Sequence, residues 1–246
     1  MRFRFLPLVI ATAAIAAAPL HSQTTSLTIT RPYAPGGGAV TAFGDYMSPY
    51  TGHITGGPDM RINCVDFFHG VSLGDTWEVK ATHLDGTPDL SGTRYGAGTA
   101  LSNPFYHGNA LDLYRQSAWL TMQYDAVNPA GVNANKTIAI QTAIWNLWDN
   151  AGHDAPSFSG PGGNLESTAW WMTASIAGAA SLTAQQLHDF TLYSDDHLNP
   201  AGSDRQEFLT YSSTPEPATL GLMLTGLFGV AGPMIRRRRS KSDTAV

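Results

Sequence analysis

The chain has 246 residues, with 14 Lys+Arg against 19 Asp+Glu, and its charged fraction of 13% is well below that of an average globular protein. Aromatic residues at 10%, 25 glycines and 15 prolines fit a turn-rich folded domain with a polar but uncharged surface. They exclude a disordered chain, which would lack the aromatics, and the single cysteine excludes an internal disulfide.

The first elements are a targeting segment. Arg2 and Arg4 form a basic start, and Phe5 to Ala18 is an apolar run too short to span a bilayer comfortably. Small residues follow, and Pro19 disfavours a cut after Ala18, so a signal peptide over residues 1–22 with cleavage after Ser22 is expected. The domain that follows, residues 23–213, is then exported. Loss of Arg2, Arg4, Arg236 to Arg239 and Lys241 leaves 7 of the 14 basic residues. Loss of Glu216 and Asp243 leaves 17 of the 19 acidic ones, for a net charge near −10. Such a surface repels nucleic acid, which requires a basic footprint.

Ser26 to Ile29 alternates weakly and predicts a first strand. Pro32–Gly38 and Thr51–Pro58 read as turn-rich loops. Arg61 to Phe68 predicts a strand with Ile62, Cys64 and Asp66 on one side and Asn63, Val65 and Phe67 on the other. Thr76 to Thr82 alternates again, with Trp77, Val79 and Ala81 sharing a face. The two runs read as an antiparallel pair joined by a short loop, and His83 to Asn109 reads mostly as loop. Asn109 is an expected N-cap, with Asp112 three residues on, for a helix over Leu111–Tyr124. Its apolar stripe is Leu111, Tyr114, Ala118 and Met122, widened by Trp119 and Leu120.

A second amphipathic helix is expected from Asn135 to Asn150, stopped by Asp149-Asn150-Ala151-Gly152. Ile138, Gln141, Trp145 and Trp148 fall on one stripe of it, three of them large and apolar. A primary amide on a core-facing stripe needs partners, because burying it unpaired costs about 1–3 kcal/mol. Leu165 to Ala177, with Trp170 and Trp171, predicts a third helix. Thr183 with Gln186 predicts a capped fourth one, and Arg205 to Tyr211 a last strand. Strands, consecutive helices and a closing strand imply an α+β fold, with the helices inserted between strands of one antiparallel sheet system.

Cys64 admits several chemistries. It can be a small buried hydrophobe, the usual state of a free cysteine. It can be a nucleophile paired with His69 or His83, although nothing in the sequence fixes their geometry. It can join His53, His69, His107, His153, His188 or His197 at a metal, but no pair of these shows zinc-ligand spacing. Asp195-Asp196-His197 reads as a solvated loop with weak calcium potential. Finally, Cys64 can attack the carboxamide of Gln141, expel ammonia and leave an internal thioester. That electrophile stays in reserve until an outside amine or hydroxyl takes the acyl group. The reaction requires two side chains held in contact and shielded from water. No cofactor or metal is required.

Cys64-Val65-Asp66, Ala118-Trp119-Leu120 with Gln123-Tyr124, and Gln141-Thr142-Ala143-Ile144-Trp145 with Asp149 together resemble the bacterial thioester domain of surface adhesins. The resemblance spans roughly Arg61 to Asn150. It implies a barrel-like antiparallel sheet with an inserted helical block, Cys64 and Gln141 as the bonded pair, and Asp66, Trp145 and Asp149 as supporting positions. It further implies a single-turnover covalent binder of matrix or cell-surface amines or hydroxyls, not an enzyme. The alternative from the residues is a non-covalent structural or carbohydrate-associated matrix protein with a structural Cys64, in which Trp170 and Trp171 could stack on sugars.

At the C-terminus, Pro215-Glu216-Pro217 precedes eighteen uncharged residues, Ala218 to Ile235, and then Arg236, Arg237, Arg238 and Arg239. The uncharged run just reaches spanning length, about 20 residues, with the arginines on the cytoplasmic side. Residues 214–240 thus resemble the PEP-CTERM sorting signal of exopolysaccharide-producing Gram-negative bacteria. That resemblance implies an exosortase as partner, transient anchoring in the inner membrane through the C-terminal helix, and delivery to the cell surface or biofilm matrix.

Overall fold

The computed structural model describes residues 25–33, 39–96, 109–127, 133–149, 155–197 and 205–212. The expected signal peptide, the sorting tail, His107 and His153 lie outside the described residues. In chain order the elements are β1 (Thr25–Pro32), β2 (Thr41–Ala42), β3 (Asp45–Tyr46), β4 (Tyr50–Ile54), β5 (Asp59–Cys64), β6 (Thr76–His83), α1 (Ala110–Val127) and α2 (Ala134–Leu147). A 3-10 turn (Gly163–Glu166) follows, then α3 (Thr168–Ala180), α4 (Ala184–His188), β7 (Phe190–Asp195) and β8 (Phe208–Tyr211).

Six strands close into an antiparallel barrel in the order β1–β4–β5–β8–β7–β6. The expected α+β plan with inserted helices therefore holds, because β7 and β8 return after the helical block to complete the sheet. The expected β5–β6 hairpin does not form. β6 pairs with β1 and β7, while β5 pairs with β4 and β8. Alternation identified both strands but carries no information about partners, and the C-terminal strands fill the gap between them.

The expected strand through Phe68 also stops early, at Cys64. Beyond it, Phe68 N–H donates to Asp66 Oδ1 at 3.0 Å, a local turn that takes Asp66 out of the pleat it was expected to share with Cys64. Thr51–Pro58, read as loop, contains β4 from Thr51 to Ile54. Gly52 is needed in that strand, because a Cβ there would lie 2.7 Å from Thr28 O and 2.8 Å from Ile62 Cδ1. β1 is bulged between Ile29 and Arg31, opposite this close approach.

Alternation divides the core. Leu27, Ile29, Ile62, Cys64, Trp77, Val79 and Phe208 point inward and pack together with Met47 and Tyr50. Leu192 and Leu209 belong to a second cluster with α1, α2 and α3. Asn109 caps α1 as expected, its Oδ1 accepting from Asp112 N–H at 3.0 Å. The buried face of α1 is centred on Leu113, Tyr114, Ser117, Ala118, Leu120 and Tyr124, whereas Leu111 and Met122 are only partly buried. Asn133 caps α2 through Lys136 N–H. The predicted third helix is divided by Ser167, which ends the 3-10 turn and caps α3. Thr183 and Gln186 form the expected capping box on α4.

α2 is buried along most of its length from Thr137 to Trp148, between its neighbours α1 and α3. Ile138 and Trp145 join the barrel cluster, and Trp148, at the edge of the same stripe, joins the helical cluster instead. The stripe therefore straddles both cores, with Gln141 between them. Trp171 is 1% exposed and donates to Leu165 O at 3.0 Å, so it is a core residue and not a sugar platform. Among the described residues no helix is long and apolar enough to cross a membrane.

Candidate functional site

Cys64 closes β5 at the barrel end that faces α2. Its backbone N–H donates to Ser48 Oγ at 2.7 Å, and its thiol donates to Asp66 O at 3.0 Å. Trp145, one turn beyond Gln141 on α2, donates its indole N–H to Cys64 Sγ at 3.3 Å. Gln141 Nε2 donates to the backbone carbonyl of Cys64 at 3.0 Å, and Tyr124 of α1 donates its hydroxyl to Gln141 Oε1 at 2.9 Å. The fold thus brings together residues 77 positions apart in the sequence. The glutamine amide is held at both its nitrogen and its oxygen, beside the only thiol of the chain. Cys64 and Gln141 have no exposed surface, and Tyr124 and Trp145 have 3% and 2%.

Burial raises the Cys64 thiol far above its ordinary range, and the charges of Asp66 and Asp45 add to the effect. The hydrogen bonds from Trp145 and to Asp66 oppose it without overcoming it. The group is a neutral thiol at physiological pH, protected from bulk oxidants and alkylators. Tyr124 is likewise held far above the ordinary tyrosine value by burial, so it remains a hydrogen-bond donor.

The other expected positions, Asp66 and Asp149, make the following contacts. The buried Asp66 carboxylate meets Arg94 Nε at 2.9 Å and His69 Nδ1 at 2.5 Å. Gln206 Nε2 donates to its backbone carbonyl at 2.6 Å. Asp66 therefore shapes the turn through its side chain and holds the thiol through its main chain. His69 is committed on both ring nitrogens, to Asp66 and to Arg94 NH1 at 3.0 Å, which leaves no lone pair for a Cys/His nucleophile. Asp149 Oδ2 accepts from Ala155 N–H at 3.3 Å, fastening the segment after α2 so that Ala155 reaches the barrel cluster.

His83 and His188 stack on each other, with ring centres 5.6 Å apart. His53 lies 3.6 Å from Asp59. None of these brings a metal-ligand set to Cys64. Glu78, Asp196 and His197 place ligand atoms within 4.8 Å of one another at the surface. There Asp196 is already paired with Lys80 at 2.8 Å, and Asp195 accepts from His197 and Arg205 N–H groups.

A surface cleft of about 460 Å³ opens onto this region, lined among others by Asp45, Tyr46, Tyr50, Phe67, Leu73 and Trp145. The Trp145 ring leans on Phe67 at 4.7 Å between centroids, and its N–H holds the thiol. Trp145 thus lines the cleft and also touches Cys64. Sequence reasoning did not single out Ser48, Tyr124 as a partner of Gln141, or Arg61 beside it. Tyr124 stood in the motif, but only the packing of α1 on α2 shows which atom its hydroxyl meets.

No family model matches the chain, and no curated protein matches it. Among solved structures, the N-terminal thioester domain of the fibronectin-binding protein SfbI from Streptococcus pyogenes is similar at 13% identity and a TM-score of 0.38. The match covers 83% of this chain and 100% of that one.

Proposed function

We propose that this is an exported surface protein that attaches covalently to its target through a Cys64–Gln141 thioester. The observation that supports it is the convergence of the single thiol and a doubly held glutamine amide in a dry site walled by Trp145 and Tyr124. Sulfur attacks the Gln141 acyl carbon, the C–S bond forms, the C–N bond breaks, and the thiol proton leaves with ammonia. Exclusion of water preserves the thioester against hydrolysis.

An amine or hydroxyl of a matrix protein or polysaccharide, entering by the cleft over Trp145, takes the acyl group and returns the proton to Cys64. The protein acts once and is not an enzyme. The signal peptide, the Pro215-Glu216-Pro217 triplet and the apolar tail with its four arginines support export, exosortase sorting and presentation at the surface or in the biofilm matrix of a Gram-negative cell.

Incubating the 23–213 segment with a biotinylated primary amine tests this. The proposed function requires label on the peptide that contains Gln141 and a Cys64 thiol that can be alkylated once the labelled protein is unfolded. Label absent from that peptide overturns it.

A second reading has its own observation. Gln141 is satisfied at both ends and Cys64 is buried among apolar side chains, which is also how a structural pair is built. In that case the protein is a non-covalent matrix component, and no amine is incorporated.

A further inference from the structure

We propose that Tyr124 is the oxyanion donor of the Cys64–Gln141 reaction and that Arg61 positions and strengthens it. This rests on the thioester reading above. The Tyr124 hydroxyl lies 2.9 Å from Gln141 Oε1, the atom on which negative charge develops when the acyl carbon becomes tetrahedral. Charge develops there in both directions. It appears when the Cys64 sulfur adds and ammonia departs, and again when an amine adds to the thioester and the Cys64 sulfur departs. In each case the C=O bond becomes C–O⁻ and then reforms, and the proton of the entering group goes to the leaving one. A preorganised donor on that oxygen, in a site buried from solvent, lowers both barriers.

Three features go beyond ordinary satisfaction of a buried amide. First, the Arg61 guanidinium sits between two tyrosine rings, 5.6 Å from the centre of Tyr124 and 5.1 Å from that of Tyr33. A cation at the ring face favours negative charge on the phenol oxygen and so sharpens its O–H as a donor. Second, Arg61 NH1 is gripped by both carboxylate oxygens of Asp125, at 2.6 and 2.7 Å. Asp125 follows Tyr124 in α1, and Arg61 precedes Cys64 by three residues in β5. One buckle therefore fixes the strand that carries the thiol against the helix turn that carries the donor. Third, the thiol is buried and neutral, a weak nucleophile beside which a donor on the acyl oxygen is effective.

The test uses the 23–213 segment as wild type, Tyr124→Phe and Arg61→Met. Intact mass measures how fast ammonia is lost after refolding and how fast methylamine then opens the thioester. Circular dichroism and thermal unfolding show whether each variant is folded.

For a missing oxyanion donor, Tyr124→Phe slows both steps by about 10²–10³-fold. Arg61→Met, which keeps the phenol and most of the stem, slows both by a smaller factor. A merely structural tyrosine gives the opposite sign: the loosened site admits methylamine and opens faster. Formation and opening in folded Tyr124→Phe at the wild-type rate or faster overturn the proposal. Should Tyr124→Phe not fold, wild-type rates in Arg61→Met overturn it. Absence of the ammonia loss in the wild type itself refutes the thioester reading, an outcome distinct from either.

Discussion

Replacing Cys64 by serine isolates what the cross-link contributes to stability. The hydroxyl is close in size to the thiol and can make the same bond to Asp66 O. The Tyr124 bond to Gln141 Oε1 involves no atom that changes, and the variant keeps the Gln141 Nε2 bond to the residue 64 carbonyl that ammonia loss removes from the wild type. What disappears is a covalent tie between residues 77 positions apart. Treated like a disulfide of the same loop length, the tie removes chain entropy from the unfolded state worth about 4 kcal/mol. For a domain of this size each kcal/mol moves Tm by roughly 2–4 °C, so Cys64→Ser should unfold about 8–16 °C lower. Thermal unfolding of the 23–213 segment, followed by circular dichroism on samples whose mass has been checked, reads the difference. A Cys64→Ser protein that melts within 2 °C of a wild type lacking one ammonia would refute the loop-entropy reasoning.

Trp145→Phe keeps the ring on Phe67 but removes the N–H that holds Cys64 Sγ. That bond opposes the upward shift of the thiol, and a hydrogen bond to a charged group contributes about 1.5–3 kcal/mol. Ammonia loss after refolding, timed by mass, should therefore slow about tenfold or more. Once the thioester is opened, Cys64 should resist iodoacetamide at pH 8 in the folded protein and react on unfolding. Its folded value lies above the ordinary 9.0, so the stability it contributes is fully present below that value and is lost as pH rises beyond it. Urea unfolding of the opened protein should weaken above about pH 9, and that component should be missing from Cys64→Ser. Gly178→Ala would put a Cβ 2.2 Å from Trp119 Cδ2, where α3 crosses α1. It should cost about 1–3 kcal/mol in urea unfolding, without changing amine uptake in the folded fraction.

The parts of this molecule that local chemistry dictates were legible in the sequence. Asn109 and Thr183 announce helix starts because their side chains satisfy amides three residues on. The Ile62 and Cys64 alternation announces a strand because only one side of β5 faces the barrel interior. Gln141 stood out because an amide among Ile138 and Trp145 must have a partner, and it has two.

What depends on closure was not legible. Phe190–Asp195 was not read as a strand, because it is buried on both faces from Phe190 to Leu192 and so lacks alternation. Thr51–Pro58 reads as a turn-rich loop, whereas its first residues are strand and Gly52 is there to let β1 and β5 approach. The β5–β6 pairing failed because β7 and β8, more than a hundred residues later, take those edges. Tyr124 reaches Gln141, and Arg61 reaches Tyr124, from separate elements whose register no local pattern encodes.

The central claim is that Cys64 and Gln141 are bonded. The intact mass of the 23–213 segment, freshly prepared at mildly acidic pH and measured before and after methylamine, tests it most directly. The account predicts a mass one ammonia below the sequence value, a gain of one methylamine on treatment, and neither in Cys64→Ala. A full sequence mass, unchanged by methylamine and with a thiol that titrates on unfolding, would contradict it.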